Sequence, residues 1–328
     1  SVGTLTGSKA FKAFSFNVAA GASINGVITA KLISASGSDD CALDYLAIAD
    51  ASGSVDPQPS PSPTVSPSPT VSPSPTVSPS PSPSPTVSPT VPPSSGASVP
   101  AGSAWYWQLQ GNLNMNVAAK YYDIDLYDSS VAQIQELKRN GHAVICYFSA
   151  GTYEDWREDA NQFPAAALGN NVSGWPGEKW LDVRNATVRE IMKARMDLAK
   201  SKGCDGMEPD NVDGYTNKPG ISFTKADQAN YNAFLADEVH KRGMTVALKN
   251  ATDLVASLVS KFDFAVVESC FQYNECEAYS PFIAAGKAVF NAEYSSFSAA
   301  TCTKAKNLGF STVFYNQALD GKTYKPCE

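Results

Sequence analysis

The chain has 328 residues and a formal net charge of −7, which suits one large domain with a tail. An acidic balance excludes a nucleic-acid-binding surface as the main function, because such domains are usually basic. No apolar run reaches the roughly 18 residues of a membrane-spanning helix, so we expect no membrane partner. Between Asp56 and Lys120 there is no charged residue, and this gap separates two unequal parts.

The first part, residues 1–54, alternates apolar and polar residues over 11–18, 23–34 and 42–50. This period of two is typical of short strands, so we expect a β-rich segment. Such a length seldom buries enough surface to stand alone, which favours a partial β-sandwich. One interpretation is a fragment of a carbohydrate-binding module that binds a second polysaccharide. A purely structural appendage is an equal alternative.

Residues 55–99 predict an extended linker. They repeat the motif SPSPTV, and 16 of the 22 prolines lie between Pro57 and Pro100. Proline-rich segments of this kind form semi-rigid polyproline II spacers and often carry O-glycans. The linker therefore predicts a secreted, extracellular protein, with cell-wall association as a further option. Secretion permits disulfides, and the seven cysteines lack the C-x-x-C spacing of zinc sites.

Residues 100–328 predict an α/β fold, a (β/α)8 TIM barrel. Amphipathic stretches of helical period separate most of the apolar runs, and several end at a glycine, such as Gly203 and Gly309. An open doubly wound sheet is the alternative, but no glycine-rich nucleotide motif follows a strand. Eight runs predict the strands: 105–110, 121–127, 143–150, 204–210, 245–250, 264–269, 288–294 and 311–316.

The catalytic groups of a TIM barrel lie at the carboxyl ends of its strands. Both histidines, His142 and His240, precede strands and belong at the opposite face, so we expect structural roles for them. Carboxylates remain, and we expect Lys249 to pair with one of them. The candidate substrate-binding residues at or after the strand ends are Asp123, Asp125, Tyr147, Glu208, Asn211, Asp213, Lys249, Asn250, Glu293 and Tyr294.

A ring of carboxylates without histidine or cysteine ligands permits two chemistries. One is glycoside hydrolysis by a pair of carboxyl groups. The other is an oxygen-ligated calcium or magnesium site, for which Asp123, Asp125 and Asp128 are the candidates. Tryptophans and tyrosines, among them Trp107, Tyr147, Trp175 and Trp180, favour a sugar substrate by stacking on its rings, although core packing is the commoner role of each one taken singly. We therefore expect no metal and no cofactor.

Six stretches of this part carry a family resemblance: 121–130, 144–160, 175–184, 204–215, 247–255 and 268–294. Together they resemble glycoside hydrolase family 114, the endo-α-1,4-polygalactosaminidases. The resemblance implies a TIM barrel, endo-hydrolysis of α-1,4-linked galactosamine polymers and an acidic pair at the fourth and sixth strands, here Asp210 and Glu268. By analogy with retaining α-glycosidases, Asp210 is expected as nucleophile and Glu268 as acid/base. Val267 departs from the asparagine expected before the acid.

Alternative functions remain open at this point: another α-glycosidase, such as an α-galactosidase, or a non-catalytic lectin or adhesin. We expect a monomer with a cationic polysaccharide as partner. Resemblance and spacing suggest a disulfide between Cys270 and Cys276. Cys302 with Cys327, and Cys146 with Cys204, are further candidate pairs whose connectivity the sequence leaves open. Asn171, Asn185 and Asn250 begin glycosylation sequons, of which Asn250 lies at a strand end and is expected to be inaccessible.

Overall fold

The computed structural model describes residues 99–327. The predictions for the β-rich segment 1–54 and for the linker through residue 98 lie outside these residues. Val99 is buried, and its carbonyl accepts a hydrogen bond from the Ala288 amide at 2.8 Å. The folded domain therefore includes Val99.

Eight parallel strands follow one another around the sheet, and they correspond to the eight predicted from the sequence. The sheet order is β1-β2-β3-β7-β8-β9-β10-β11-β12, in which only the last pair is antiparallel. A parallel arrangement requires the helical crossovers that the amphipathic stretches predict. In chain order the strands are β1 (Trp105–Gln108), β2 (Tyr121–Asp125), β3 (Ala143–Ser149), β4 (Thr152–Glu154), β5 (Leu168–Asn171), β6 (Glu178–Leu181), β7 (Gly206–Asp210), β8 (Thr245–Lys249), β9 (Phe264–Glu268), β10 (Val289–Glu293), β11 (Ser311–Phe314) and β12 (Lys325–Pro326).

The longer helices begin and end where the sequence places caps. Asn185 caps α2 by accepting from the Thr187 and Val188 amides, and Gly203 ends it in the left-handed conformation. Between β8 and β9 the helical segment is short, a 3-10 turn over Thr252–Leu254 followed by one helical turn over Val255–Leu258. The helices are α1 (Val131–Arg139), α2 (Ala186–Lys202), α3 (Lys225–Lys241), α4 (Val255–Leu258), α5 (Cys270–Tyr273), α6 (Ser280–Ala284) and α7 (Ala299–Leu308).

Strands β1 and β11 approach each other through side chains, and no backbone ladder joins them within residues 99–327. The Trp105 indole donates to the Ser311 carbonyl at 2.8 Å, and the Trp107 amide donates to the Tyr315 hydroxyl at 3.0 Å. Trp105 also stacks on Phe290, with ring centroids 4.9 Å apart. The two-residue β12 occupies the free edge of β11. The fold is thus TIM-barrel-like, with a curled sheet in which backbone hydrogen bonds do not join β1 to β11 within residues 99–327.

A second, three-stranded antiparallel sheet in the order β4-β6-β5 lies between β3 and α2. The sequence does not predict this sheet, because strands of three or four residues are too short to show a period of two. The pairing of β5 with β6 is irregular, with a register shift between Leu168 and Asn171. This sheet forms one wall of the cleft described below.

Within residues 99–327 three disulfides are formed, and they confirm the three candidate pairs. Cys146–Cys204 connects β3 to the residues that lead into β7, and Cys302–Cys327 connects α7 to the chain's last residues. Cys270–Cys276 closes a short loop just after β9. No helix of residues 99–327 has the length and apolar character that crossing a membrane requires.

Candidate active site

A cleft of about 330 Å³ opens at the carboxyl ends of the parallel strands. This is the end at which TIM barrels carry their catalytic groups, because the loops after the strands converge there. One wall comes from the small sheet, and the floor comes from the main strands. Eight predicted residues line the cleft: Tyr147, Asp210, Asn211, Asp213, Lys249, Asn250, Glu268 and Tyr294.

Lys249 lies at the centre of the floor and is only 2% exposed. Its Nζ lies 3.0 Å from Asp210 Oδ1, 3.3 Å from Glu268 Oε2 and 3.1 Å from Glu208 Oε1. The same atom lies 4.8 Å from the centroid of the Trp107 ring. Burial alone would lower the pKa of Lys249, but Asp210, Glu208 and Glu268 raise it well above the ordinary value. One ammonium group therefore holds three carboxyl groups together.

Asp210 ends β7 and is fixed by three donors. Its Oδ2 accepts from the Tyr147 hydroxyl at 2.9 Å, and its Oδ1 accepts from Lys249 and from the Asn211 amide at 2.7 Å. Asn211 adopts a left-handed backbone, with φ 60°, and its side-chain amide donates to Ser149 Oγ at 3.0 Å. Donors aimed at both oxygens stabilise the ionised carboxylate. The Asp210 side chain is 18% exposed and is accessible from the cleft.

Glu268 ends β9 and faces Asp210 across Lys249. Its Oε2 accepts from Asn250 Nδ2 at 3.1 Å, and its Oε1 accepts from the Tyr294 hydroxyl at 2.5 Å. Asn250 also accepts from the Glu268 amide at 3.0 Å, so this sequon asparagine is engaged in the site, as expected. Because neighbouring residues of a strand point to opposite faces, Val267 points away from the cleft, and its departure from the family pattern leaves the Glu268 contacts intact.

Two more carboxyl groups give the cleft an acidic character. Burial and the neighbouring Asp210 raise the pKa of Asp213 to about 6. Burial raises the pKa of Glu178 to about 7, although a hydrogen bond from Thr152 Oγ1 at 3.0 Å opposes that shift. The cleft thus combines the carboxyl groups of Asp210 and Glu268 with these two, against the single ammonium of Lys249. A cationic ligand is favoured in such a field.

Asp123 and Glu208 lie below the cleft floor and are fully buried. Burial, followed by the charge of Glu208, raises the pKa of Asp123 well above its ordinary value. Burial likewise raises the pKa of Glu208, against the opposing attraction of Lys249. The prediction that these two residues contact substrate is therefore wrong, because the groups that line the cleft cover both side chains.

Two further predictions of substrate contact are also corrected. Asp125 forms a buried ion pair with Arg157, whose Nη2 lies 2.8 Å from Asp125 Oδ2. Glu293 accepts from the Phe271 amide at 3.0 Å and from Asn291 Nδ2 at 3.2 Å, and it is 1% exposed. A strand end places a residue near the cleft, but the loop that follows decides where its side chain turns.

The candidate calcium cluster at the end of β2 is not assembled. Asp125 bonds Arg157 and the Asp128 amide, whereas Asp123 faces the interior beside Glu208. Across residues 99–327, no group of three or more histidine, cysteine or acidic side chains is arranged to hold a metal ion. Both histidines bond away from the cleft, as expected: His142 to the Ala119 carbonyl at 2.7 Å and His240 to Asp263 at 2.8 Å.

Sequence reasoning missed the polar residues that the small sheet and the last loops contribute to the cleft. Glu178 and Trp180 lie on β6, and Trp175 precedes it with 55% of its surface exposed. The two tryptophans are among the aromatic residues expected to stack on sugar rings, but Glu178 follows no predicted strand, so the strand-end rule does not find it. The remaining lining residues that were not predicted include Ser173, Asn217, Gln317 and Leu319.

Two accessible carboxyl groups that share one buried cation, in an acidic cleft with exposed indole, are the groups that hydrolysis of a glycosidic bond requires. The profile of the glycoside-hydrolase family GH114 matches residues 86–327, which is most of the chain. The chain belongs to family GH114. This GH114 chain is accordingly a glycoside hydrolase, and its cleft is the candidate active site. The resemblance found in the sequence is confirmed.

Solved structures agree with the GH114 assignment. Aspergillus fumigatus Ega3, solved in complex with galactosamine, is 42% identical with a TM-score of 0.68, covering 71% of this chain and 99% of Ega3. The glycoside hydrolase domain of PelA from Pseudomonas aeruginosa is 14% identical with a TM-score of 0.58, covering 67% and 97% of the two chains, and shows the shared fold. A comparison with curated proteins found no match.

Proposed function

We propose that this chain is a secreted, endo-acting glycoside hydrolase that cleaves α-1,4-linked galactosamine polymers by a retaining mechanism. The observation that carries the proposal is the placement of Asp210 and Glu268 on either side of Lys249, open to one cleft. Asp210 is the nucleophile and Glu268 is the acid/base. A (β/α)8 barrel with its strands in this order provides the scaffold.

Retention is supported by the distance between the two carboxyl groups. Asp210 Oδ1 and Glu268 Oε2 lie 3.0 Å and 3.3 Å from the same nitrogen, so they cannot be farther apart than the sum, 6.3 Å. Retaining enzymes have a separation of about 5–5.5 Å, whereas inverting enzymes need roughly 6.5–9.5 Å to hold a water molecule between the groups. For these two facing oxygens the upper limit is below the inverting range, which favours a retaining arrangement.

The hydrogen bonds suit the two roles. Lys249, Tyr147 and the Asn211 amide hold the Asp210 carboxyl group oriented for attack on the anomeric carbon. Oε2 of Glu268 already accepts from Asn250, so its proton is carried on Oε1, beside the Tyr294 hydroxyl. A hydroxyl can donate or accept, and Tyr294 can therefore serve Glu268 in both its protonated and ionised forms. Glu268 first protonates the leaving oxygen and then deprotonates the attacking water.

The charge of the cleft supports a cationic sugar. Unacetylated galactosamine carries an ammonium group at neutral pH. Asp213 and Glu178 line the walls of the cleft, where their carboxyl groups can bind such ammonium groups. The relative at 42% identity was solved with galactosamine. Exposed Trp175 offers an aromatic face to a sugar ring. The cleft is partly open to the surface, which suits internal cleavage of a polymer. The three disulfides fit an oxidising, extracellular location.

The experiment is incubation of the full chain with partly deacetylated α-1,4-galactosaminan, followed by mass spectrometry of the products. We expect oligosaccharides of several lengths from the wild type and from Glu136→Gln, a control whose side chain is exposed on α1. Asp210→Asn and Glu268→Gln should each release at least about a thousandfold less product. Proton NMR of the first products should show the α-anomer. A first product with the β-anomer would refute retention, and intact polymer would refute the substrate.

The two roles are separated with an oligosaccharide that carries a fluoride leaving group. Fluoride departs without a proton, so the glycosylation step no longer needs the acid. Glu268→Gln should then release fluoride in a rapid burst, while Asp210→Asn should release none. The reverse pattern would exchange the roles of the two residues.

A further inference from the structure

The polar group that the proposed mechanism leaves unexplained is Asp123. It is fully buried, and neither of its carboxylate oxygens has a hydrogen-bond partner when both carboxyl groups are ionised. Both oxygens of Glu208 are in the same condition, apart from the ionic contact of Oε1 with Lys249 at 3.1 Å. Leaving two acidic side chains so deeply buried without donors is costly.

The barrel geometry explains why these two groups meet. Asp123 is on β2 and Glu208 is on β7, the second and fourth of the parallel strands. Inward side chains of alternate strands share a layer inside a TIM barrel, so the two carboxyl groups face each other across the intervening β3. Glu208 also lies two residues before Asp210 on the same strand and the same face. The pair is thus directly beneath the nucleophile.

A single shared proton supplies the hydrogen-bond donor that the Asp123–Glu208 pair otherwise lacks. Two carboxylates cannot hydrogen-bond to each other, because neither has a donor, but a carboxylic acid donates to a carboxylate. The titratable groups that face the pair are Tyr147 of β3, Asp210 of β7, Lys249 of β8, Tyr294 after β10 and Tyr315 after β11, and Lys249 is the one cation among them. With one shared proton the pair carries one negative charge, which Lys249 balances.

We propose that Asp123 is a positioning residue that holds a proton in a buried pair with Glu208, and that this pair fixes Lys249 beneath Asp210 and Glu268. Ionisation of both members would place a second negative charge under Lys249 and draw its ammonium downward. The hydrogen bond from Lys249 to Asp210 would then lengthen. Asp123 therefore acts through Glu208 and Lys249 without touching substrate. The catalytic consequence rests on the proposed roles of Asp210 and Glu268.

The first test needs no substrate, so it is independent of what the enzyme cleaves. Infrared spectra at pH 8 are recorded on the full chain carrying Glu268→Gln, which removes the proton of the proposed acid/base, and they should still show the C=O stretch of a protonated carboxylic acid. Adding Asp123→Asn should abolish this band, because the amide replaces the acid. Adding Asp125→Asn instead, two residues along the same strand, should retain the band, because Asp125 pairs with the Arg157 guanidinium. Absence of the band from the Glu268→Gln parent, or its survival after Asp123→Asn is added, would overturn the proposal.

The second test separates the donated hydrogen bond from simple packing. An asparagine amide donates to Glu208 as the protonated acid does, so Asp123→Asn should keep kcat within about threefold of the wild type. Asp123→Ala removes the donor and should lower kcat by about tenfold or more, with KM nearly unchanged, because a small displacement of catalytic groups is costly. Equal losses in both variants, or no loss in Asp123→Ala, would overturn the positioning role. If Asp123→Ala does not fold, the infrared spectra and the Asp123→Asn kinetics still decide.

Discussion

Replacing Lys249 by methionine is the perturbation whose effect the structure specifies most fully. Methionine keeps the buried stem but removes the ammonium that contacts three carboxyl groups. Removing one partner of a buried ion pair costs about 3–5 kcal/mol, because the remaining charge is stranded in a low-dielectric interior. We therefore expect Lys249→Met to lower the free energy of unfolding at pH 8 by about this amount.

The loss should depend on pH with a definite sign. Without Lys249, the pKa of the stranded carboxyl groups in the folded state rises above the unfolded value. Stability that depends on their protonated forms is present at low pH and is lost as pH rises through the folded pKa. Each unit by which a folded pKa exceeds the solution pH returns about 1.4 kcal/mol. The destabilisation should therefore be smaller at pH 5 than at pH 8 by at least about 1.4 kcal/mol.

The assay is urea unfolding followed by tryptophan fluorescence at pH 5 and pH 8, with kcat/KM measured in parallel. Lys261→Met is the matched control, since Lys261 pairs with Asp237 at the surface, with both side chains about half exposed. Its effect should stay within about 1 kcal/mol at both pH values. Activity of Lys249→Met should fall by about a hundredfold or more. A destabilisation of equal size at both pH values would refute the assignment of Lys249 as the shared counter-ion.

Three other variants test the cleft and its surroundings. Glu178→Gln should raise KM for the cationic polymer by about threefold to tenfold at low salt, with little effect at high salt. Because the pKa of Glu178 is raised to about 7, urea unfolding should also show this variant to be more stable than the wild type at pH 8 but not at pH 5. Glu293→Gln should leave kcat and KM within about twofold of wild type in steady-state assays, because this side chain bonds the Phe271 amide away from the cleft. Removing the Cys270–Cys276 bridge with two serines should cost about 2 kcal/mol in urea unfolding, as expected for closing so short a loop.

The strand order, the catalytic candidates and the family can all be predicted from the sequence alone. Eight apolar runs separated by amphipathic stretches leave few arrangements other than a parallel sheet with helical crossovers, and the structure has all eight strands. Asp210, Lys249 and Glu268 lie at strand ends, where the alternation of side chains already directs them inward. These features depend on local periodicity, which one chain displays without knowledge of its distant contacts.

Only the tertiary structure decided which acidic residues face the cleft. Asp125 and Glu293 satisfy the same strand-end rule as Asp210, yet Arg157 and the Phe271 amide turn their carboxylates into the protein. Glu178 reaches the cleft from a small sheet whose strands are too short for a periodic signal. Asp123 and Glu208 meet because strands two places apart share a layer inside the barrel. Each of these outcomes depends on contacts between segments far apart in the chain, and periodicity carries no information about such contacts.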